Sequence, residues 1–293
     1  MKFSASKALS ESFAIFGGKF ASMLPIAILF TAIPLILFMA TFGGVLAGFS
    51  QSQGDPAAAM QNFLAMFGTF ALAGIVYALV RIAGACALCV SAAAREPVTL
   101  GEAVSEGLRV TLPMAGVYLV LMVAYIAVAA VLMLTIGASF IGMMGAGFTS
   151  GQTAPGAGSI GTFILVICLV LIVLFYLMTK LSLILPVVAV DKERSPFAAI
   201  SRSWGLTRGA AFKIFLLFLL TGIGASIIGG VLGGLIGGAS VLAAGASAAS
   251  SWPQVAASAL TGTLFSIYFI ALIVAIHEQL AGPSAAAIGE TFE

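Results

Sequence analysis

The sequence predicts an all-α polytopic membrane protein whose six transmembrane helices form three parallel repeats of an amphipathic helix plus a transmembrane hairpin. Three observations lead there. The 293-residue chain is 61% hydrophobic and only 8% charged, with a mean hydropathy of +1.20, whereas a soluble domain carries roughly 25% charged residues. Apolar runs recur along it, each as long as the ~20 residues that cross a bilayer as helix. Finally, one short pattern precedes three long apolar stretches. It reads Ser4 then Ala8-Leu9-Ser10-Glu11-Ser12-Phe13, Thr99 then Ala103-Val104-Ser105-Glu106-Gly107-Leu108, and Ser195 then Ala199-Ile200-Ser201-Arg202-Ser203-Trp204. The alanines are 95 and 96 residues apart, and a fixed period of that size marks one unit used three times.

Each unit is expected to open with a short helix. Ser4, Thr99 and Ser195 stand four positions before the alanines, and a Ser or Thr oxygen accepts a bond from a free N–H of the first turn. Thr99-Leu100-Gly101-Glu102 is a capping-box pattern, and Pro196 after Ser195 occupies the first helical position, where no donor is lost. The helices are amphipathic. Leu9, Phe13, Phe16 and Phe20 share a face away from Lys7 and Glu11. Leu100, Val104 and Leu108 lie away from Glu102, Glu106 and Arg109, and Phe197, Ile200 and Trp204 away from Arg202 and Arg208. Such helices lie along a membrane surface or tuck under the bundle. The small residues Ser10, Ser105 and Ser201, with Ser12, Gly107 and Ser203, would let backbones approach closely.

Six spans follow at roughly 20–48, 62–94, 110–148, 161–190, 212–242 and 255–280, several long enough to tilt or to extend into water. Segments 49–61, 149–160 and 243–254 hold one charged residue, Asp55, and read as turns. Lys and Arg gather on the opposite side, which places both termini in the cytoplasm of a bacterial inner membrane. The expected organisation is a single integral membrane domain over 1–293, with units of about 1–94, 95–190 and 191–280 and a cytoplasmic tail at 281–293. Each unit crosses twice, so the repeats are parallel. Ala287 to Phe292 echoes the pattern weakly, as a terminal amphipathic cap or as coincidence in an alanine-rich tail. Lys2 and Lys7 precede no compact apolar core with a small-residue cleavage site, so a retained N-terminus is expected.

Few residues carry chemistry. Arg81 and Lys180 fall inside apolar runs, and His277 is the lone histidine. Each follows about one bilayer's worth of helix. The three are expected to form a ring at the cytoplasmic interface, one per unit. It either binds lipid phosphate or an anionic substrate, or merely snorkels; interfacial Lys and Arg are common, which favours snorkelling. Arg202, Trp204, Arg208 and Lys213 form a basic, aromatic patch that reads as an anchor on anionic lipid. Gly229, Gly230, Gly233, Gly234, Gly237 and Gly238 make two stripes at a spacing of four, suited to packing within the monomer, to a homo-oligomer contact or to a sliding helix. Lys180 lies about two turns before Pro186, where a kink could present its ammonium to a cavity. Cys86 and Cys89 have redox spacing without the surrounding context, so small apolar packing is expected.

The chain lacks a Walker motif, Gly-x-Ser-x-Gly, His-Glu-x-x-His and an acidic metal cluster, and the interior of its spans holds no carboxylate. The expectation is therefore no enzyme, no cofactor and no metal site, and no nucleic-acid partner. Membrane lipids, with a protein partner or a second copy of the chain, are the partners expected. Pro186, Asp191, Pro196-Phe197, Ala199, Arg202-Ser203-Trp204, Leu206-Thr207, Gly209 and Lys213-Ile214-Phe215, together with Phe3 to Pro25, resemble the membrane-domain family associated with glycerophosphoryl diester phosphodiesterases and related uncharacterised bacterial inner-membrane proteins. The resemblance implies membrane residence and a role in envelope or lipid biology. It does not imply hydrolysis, because the catalytic barrel of that family is a separate soluble domain. Two functions are weighed: a non-enzymatic protein binding lipid or a partner through its interfacial helices, and a small transporter or flippase-like protein.

Overall fold

The computed structural model describes residues 3–41, 56–94, 96, 98–150, 157–244 and 252–282. Among these residues all regular structure is helical. In chain order the helices are α1 (Ala5–Ala27), running into a π-helical segment (Ile28–Ala32), α2 (Pro56–Ala93), α3 (Leu100–Ser150), α4 (Ala157–Leu181), α5 (Ile184–Ala189), α6 (Pro196–Leu206), α7 (Ala211–Ala244) and α8 (Trp252–Ala281). Six described stretches are long and apolar enough to cross a membrane: Ala5–Thr41, Phe67–Ala93, Leu100–Ala127, Val170–Ala189, Ala211–Ile236 and Val255–Ala281. Of the segments expected as turns, residues 56–61, 149–150, 157–160, 243–244 and 252–254 belong to the helices, and 49–55, 151–156 and 245–251 lie outside the described residues, as does the tail echo at Ala287 to Phe292.

All three opening helices start at the expected residue. The expected side-chain cap forms at Ser4, which accepts from the Lys7 N–H, and at Thr99. It does not form at Ser195, where Pro196 has no N–H and the first turn is held by backbone alone. The N–H of Ala8 bonds to the Ser4 carbonyl, that of Ala103 to Thr99 and that of Ala199 to Ser195, at 3.0, 3.0 and 2.9 Å. Glu102 Oε2 accepts from the Thr99 N–H at 3.0 Å and the Thr99 hydroxyl at 2.7 Å. The Glu102 N–H returns a bond to Thr99 Oγ1, closing the capping box.

Beyond the first turn, two of the three helices are not the short ones expected. In the first two copies the opening helix runs without interruption into the span, as α1 and α3. Only the third forms a separate helix, α6, ended by a turn over 207–210 in which Gly209 has φ +83, a left-handed conformation that glycine adopts cheaply. The same register holds Gly18 in α1 and Pro113 in α3, and both stay helical. Proline bends act elsewhere. Pro25 and Pro34 each lack the N–H that would bond one turn back, and the widened π-helical turn between them absorbs the mismatch. Pro186 cannot donate to Ser182, and α4 stops there, with α5 restarting after Leu183.

The apolar faces divide. Phe13 is 58% exposed, Leu108 56% and Phe197 72%, while Phe16, Phe20 and Ile200 are half-buried against the core. The buried positions are small. Ala8, Ala103 and Ala199 are wholly buried, as are Ser12 and Ser203, and Gly107 is buried. Lipid tails are as apolar as leucine, so burying Leu or Phe against protein gains little there. Close backbone approach, which small residues permit, decides the contact instead. Ser10, Ser105 and Ser201 are exposed.

α1 lies along α8 and α2, α2 along α3, α4 along α7, and α7 along α8. The core gathers Met23 and Ile26 of α1, Ala87 and Leu88 of α2, all of α5 and the second half of α8. α5 is buried along its whole length.

Candidate functional site: the basic end of the bundle

Two clusters form where α4, α5, α6 and α8 meet. The first is built around Asp191, in the loop between α5 and α6. Val190 and Asp191 donate back to the Pro186 carbonyl and Glu193 to Val187, and Lys192 takes the left-handed φ of +57. This reversal turns the Asp191 carboxylate inward. One oxygen accepts Arg202 Nε of α6 at 2.6 Å and lies 3.3 Å from His277 Nε2 of α8. The imidazole is 5% exposed, the carboxylate 14% and the guanidinium 50%. The loop is thereby tied to α6 on its wet side and α8 on its dry side.

The second cluster surrounds Lys180, in the last turn of α4, where a cation meets the negative end of the helix dipole. Lys180 is buried, with Nζ 5.7 Å from the Tyr176 ring centre and 5.5 Å from that of Trp204. The rings meet edge to face at 5.9 Å. The Ser203 hydroxyl donates to the Lys180 carbonyl at 2.8 Å. Aromatic faces hold the ammonium, and no described carboxylate pairs with it. A kink after Lys180 does occur, but it leaves the amine among rings.

The expected ring of Arg81, Lys180 and His277 is not joined by contacts. Lys180 and Trp204 come together, and Arg202 and His277 share Asp191. Arg81 stands apart on α2 and donates to Thr31 Oγ1 of the π-helical segment. At the 95- and 96-residue spacing read from the sequence, Arg81 aligns with Tyr176 and Leu272, and Lys180 with Ile276, beside His277, an offset of about one helical turn. Arg208 is exposed, and Lys213 Nζ reaches the Phe3 carbonyl at 3.5 Å. Of the stripe glycines, Gly229 would place a Cβ 3.5 Å from Thr261 of α8, whereas a Cβ on Gly230 or Gly234 would meet open space. The stripe is only partly used within the described packing. Cys86 and Cys89 are buried free thiols.

Sequence reasoning missed Asp191, Thr31 and Tyr176. A lone Asp between two spans and a Thr between two prolines were visible signals, but their partners come from distant helices. Among the described residues no group of three or more His, Cys, Asp or Glu is placed to hold a metal.

The chain shows no significant match to any curated protein or any solved structure. A family model does match, over residues 158–280, from the start of α4 to the end of α8. It covers Asp191, the α6 patch and His277, while the similar opening segment, Phe3 to Pro25, lies outside it. Over residues 158–280 this chain is similar to the membrane domain of glycerophosphoryl diester phosphodiesterase.

Proposed function

We propose that this is a non-enzymatic, multi-pass protein of a bacterial inner membrane that binds anionic lipid through its cytoplasmic interfacial helices. The observation that carries the reading is the two-sided character of α6. Its small residues, Ala199 and Ser203, pack inward, while Phe197 and Trp204 are exposed beside the exposed basic residues Arg194, Arg202 and Arg208. Aromatic side chains flanked by basic ones suit the headgroup level of a bilayer, and each basic group near an anionic surface contributes about 1 kcal/mol. The family likeness supports membrane residence and a link to lipid or envelope biology.

The reading includes three parallel units with both termini cytoplasmic. Two sets of contacts support it. The small position of each opening helix meets the second span of the preceding unit: Gly107 against Ala87, Ser203 against Lys180, and Ser12 against Tyr268 across the closure. In two cases the start of a unit also meets the first span of the preceding one: Pro196 beside Gly116, and the Phe3 carbonyl on Lys213 across the closure. Such cyclic pairing is what a pseudo-threefold axis along the membrane normal would produce.

The test is mass spectrometry of the intact protein released from vesicles of phosphatidylglycerol and phosphatidylcholine. Wild type should retain phosphatidylglycerol preferentially, and the Arg194→Gln/Arg208→Gln double variant should lose about tenfold or more of that preference. Equal retention by the two proteins refutes the reading. The transporter-like reading draws on one observation, the offset position of Arg81.

A further inference from the structure

We propose that Arg81, oriented by Thr31, forms a second anion site within the membrane, built to hold a phosphate oxyanion, distinct from the interfacial patch on α6. Three helices assemble it. Arg81 and Gly84 lie one turn apart on the same face of α2. A Cβ on Gly84 would sit 2.9 Å from Phe30 Cγ and 3.5 Å from its Cα. The missing side chain thus lets the π-helical segment approach, which brings the next residue, Thr31, into reach of the guanidinium. Thr31 is 5% exposed, and α3 adds Tyr118, within electrostatic range of Arg81 and 48% exposed.

The site lies deep. Lys19 of α1 bonds the carbonyls of Ala92 and Ala94 at the end of α2, and this contact is taken as the cytoplasmic end of the two helices. Thr31 is 12 residues beyond Lys19, and Arg81 is 12 residues before Ala93. Both helices therefore place the pair about 18 Å along the helix axes from that contact, at 1.5 Å per residue. An arginine side chain does not span that distance, and the bond to Thr31 holds it sideways against a neighbouring helix.

A charge at this depth needs a partner. α2 contains no Asp or Glu, α3 carries Glu102 and Glu106 only in its first two turns, and Glu11 of α1 binds Lys7 and Gln279. Among the described residues no carboxylate pairs with Arg81. The guanidinium has five donors in a planar fork, matched to two oxygens of a phosphate. Thr31 takes one, so a bidentate face remains. A hydroxyl from Tyr118 would add a further donor to the same oxyanion. The neighbours favour a phosphate over a cation or a neutral ligand, since all three groups can donate and none carries negative charge. The oxyanion could belong to a lipid headgroup or to a free phosphate.

The experiment uses the full chain in detergent with two probes: retained phosphatidylglycerol, read by mass spectrometry, and inorganic phosphate, read by a shift in thermal unfolding. Wild type should bind at least one of them, and Arg81→Gln should weaken that binding at least about tenfold. Loss of lipid alone identifies a headgroup, and loss of the phosphate-induced shift alone identifies a free anion. Either supports the proposal. Arg194→Gln/Arg208→Gln should leave one copy of the ligand bound, which separates failure of this site from failure of the interfacial reading. If Arg81→Gln does not fold, Arg81→Lys is read instead, which keeps the charge but loses the fork. A loss of about threefold or more supports the site. Wild type that binds neither probe, or the folded variant matching wild type with both, overturns the proposal.

Discussion

The contact between Gly107 and Ala87 gives the sharpest test of how this bundle is held together. A Cβ built on Gly107 would lie 2.7 Å from Ala87 Cβ, 2.8 Å from its backbone nitrogen and 2.9 Å from its Cα. Comfortable contact between carbons is about 3.5–4.0 Å. Gly107→Ala must therefore push α3 away from α2 by about 0.7 Å or more, and the obstacle is backbone, which no rotamer change removes. Overpacking of this kind costs about 1–3 kcal/mol. Alanine recovers about 0.8–1 kcal/mol as the better helix former. The two together leave a net loss of up to about 2 kcal/mol, centred near 1 kcal/mol. Gly74→Ala in α2 is the control: its added methyl meets nothing within 4 Å, so the propensity gain of about 0.5–1 kcal/mol stands alone. Equilibrium unfolding in mixed micelles with rising dodecyl sulfate, followed by helix content, reads both. The reasoning fails if Gly107→Ala is as stable as wild type or stabilises as much as Gly74→Ala does.

Other positions give related expectations. Asp191→Asn removes the charge shared by Arg202 and His277. With Arg202 half exposed, the loss of stability should be about 1–2 kcal/mol, read by the same unfolding measurement. Ser203→Ala deletes the hydroxyl bonded to the Lys180 carbonyl and should cost about 1 kcal/mol. Ser201→Ala, at an exposed neighbour, should cost nothing measurable.

Much of the fold was legible because the bilayer imposes few solutions. Span length, the absence of charge from alternate segments and the Ser/Thr caps all follow from local chemistry. The capping box at Thr99 acts within a few residues, and sequence displays it directly. The inward face of the opening helices was legible in part. Of the small positions expected to let backbones approach, Ser12, Gly107 and Ser203 are buried, whereas Ser10, Ser105 and Ser201 are exposed. The candidate sites were least legible. Arg81, Lys180 and His277 were visible as charges in apolar runs. Their partners Thr31, Tyr176, Trp204 and Asp191 come mostly from other helices.

The central claim is that three parallel units present the same basic end to one side of the membrane. It is tested most directly by single cysteines at Ser10, Ser105 and Ser201, the exposed equivalent positions, in a chain whose own three cysteines are replaced by alanine. An impermeant thiol reagent added to intact cells should leave all three unlabelled, and should label all three once the membrane is opened. Labelling of any one of them from outside would contradict the parallel arrangement.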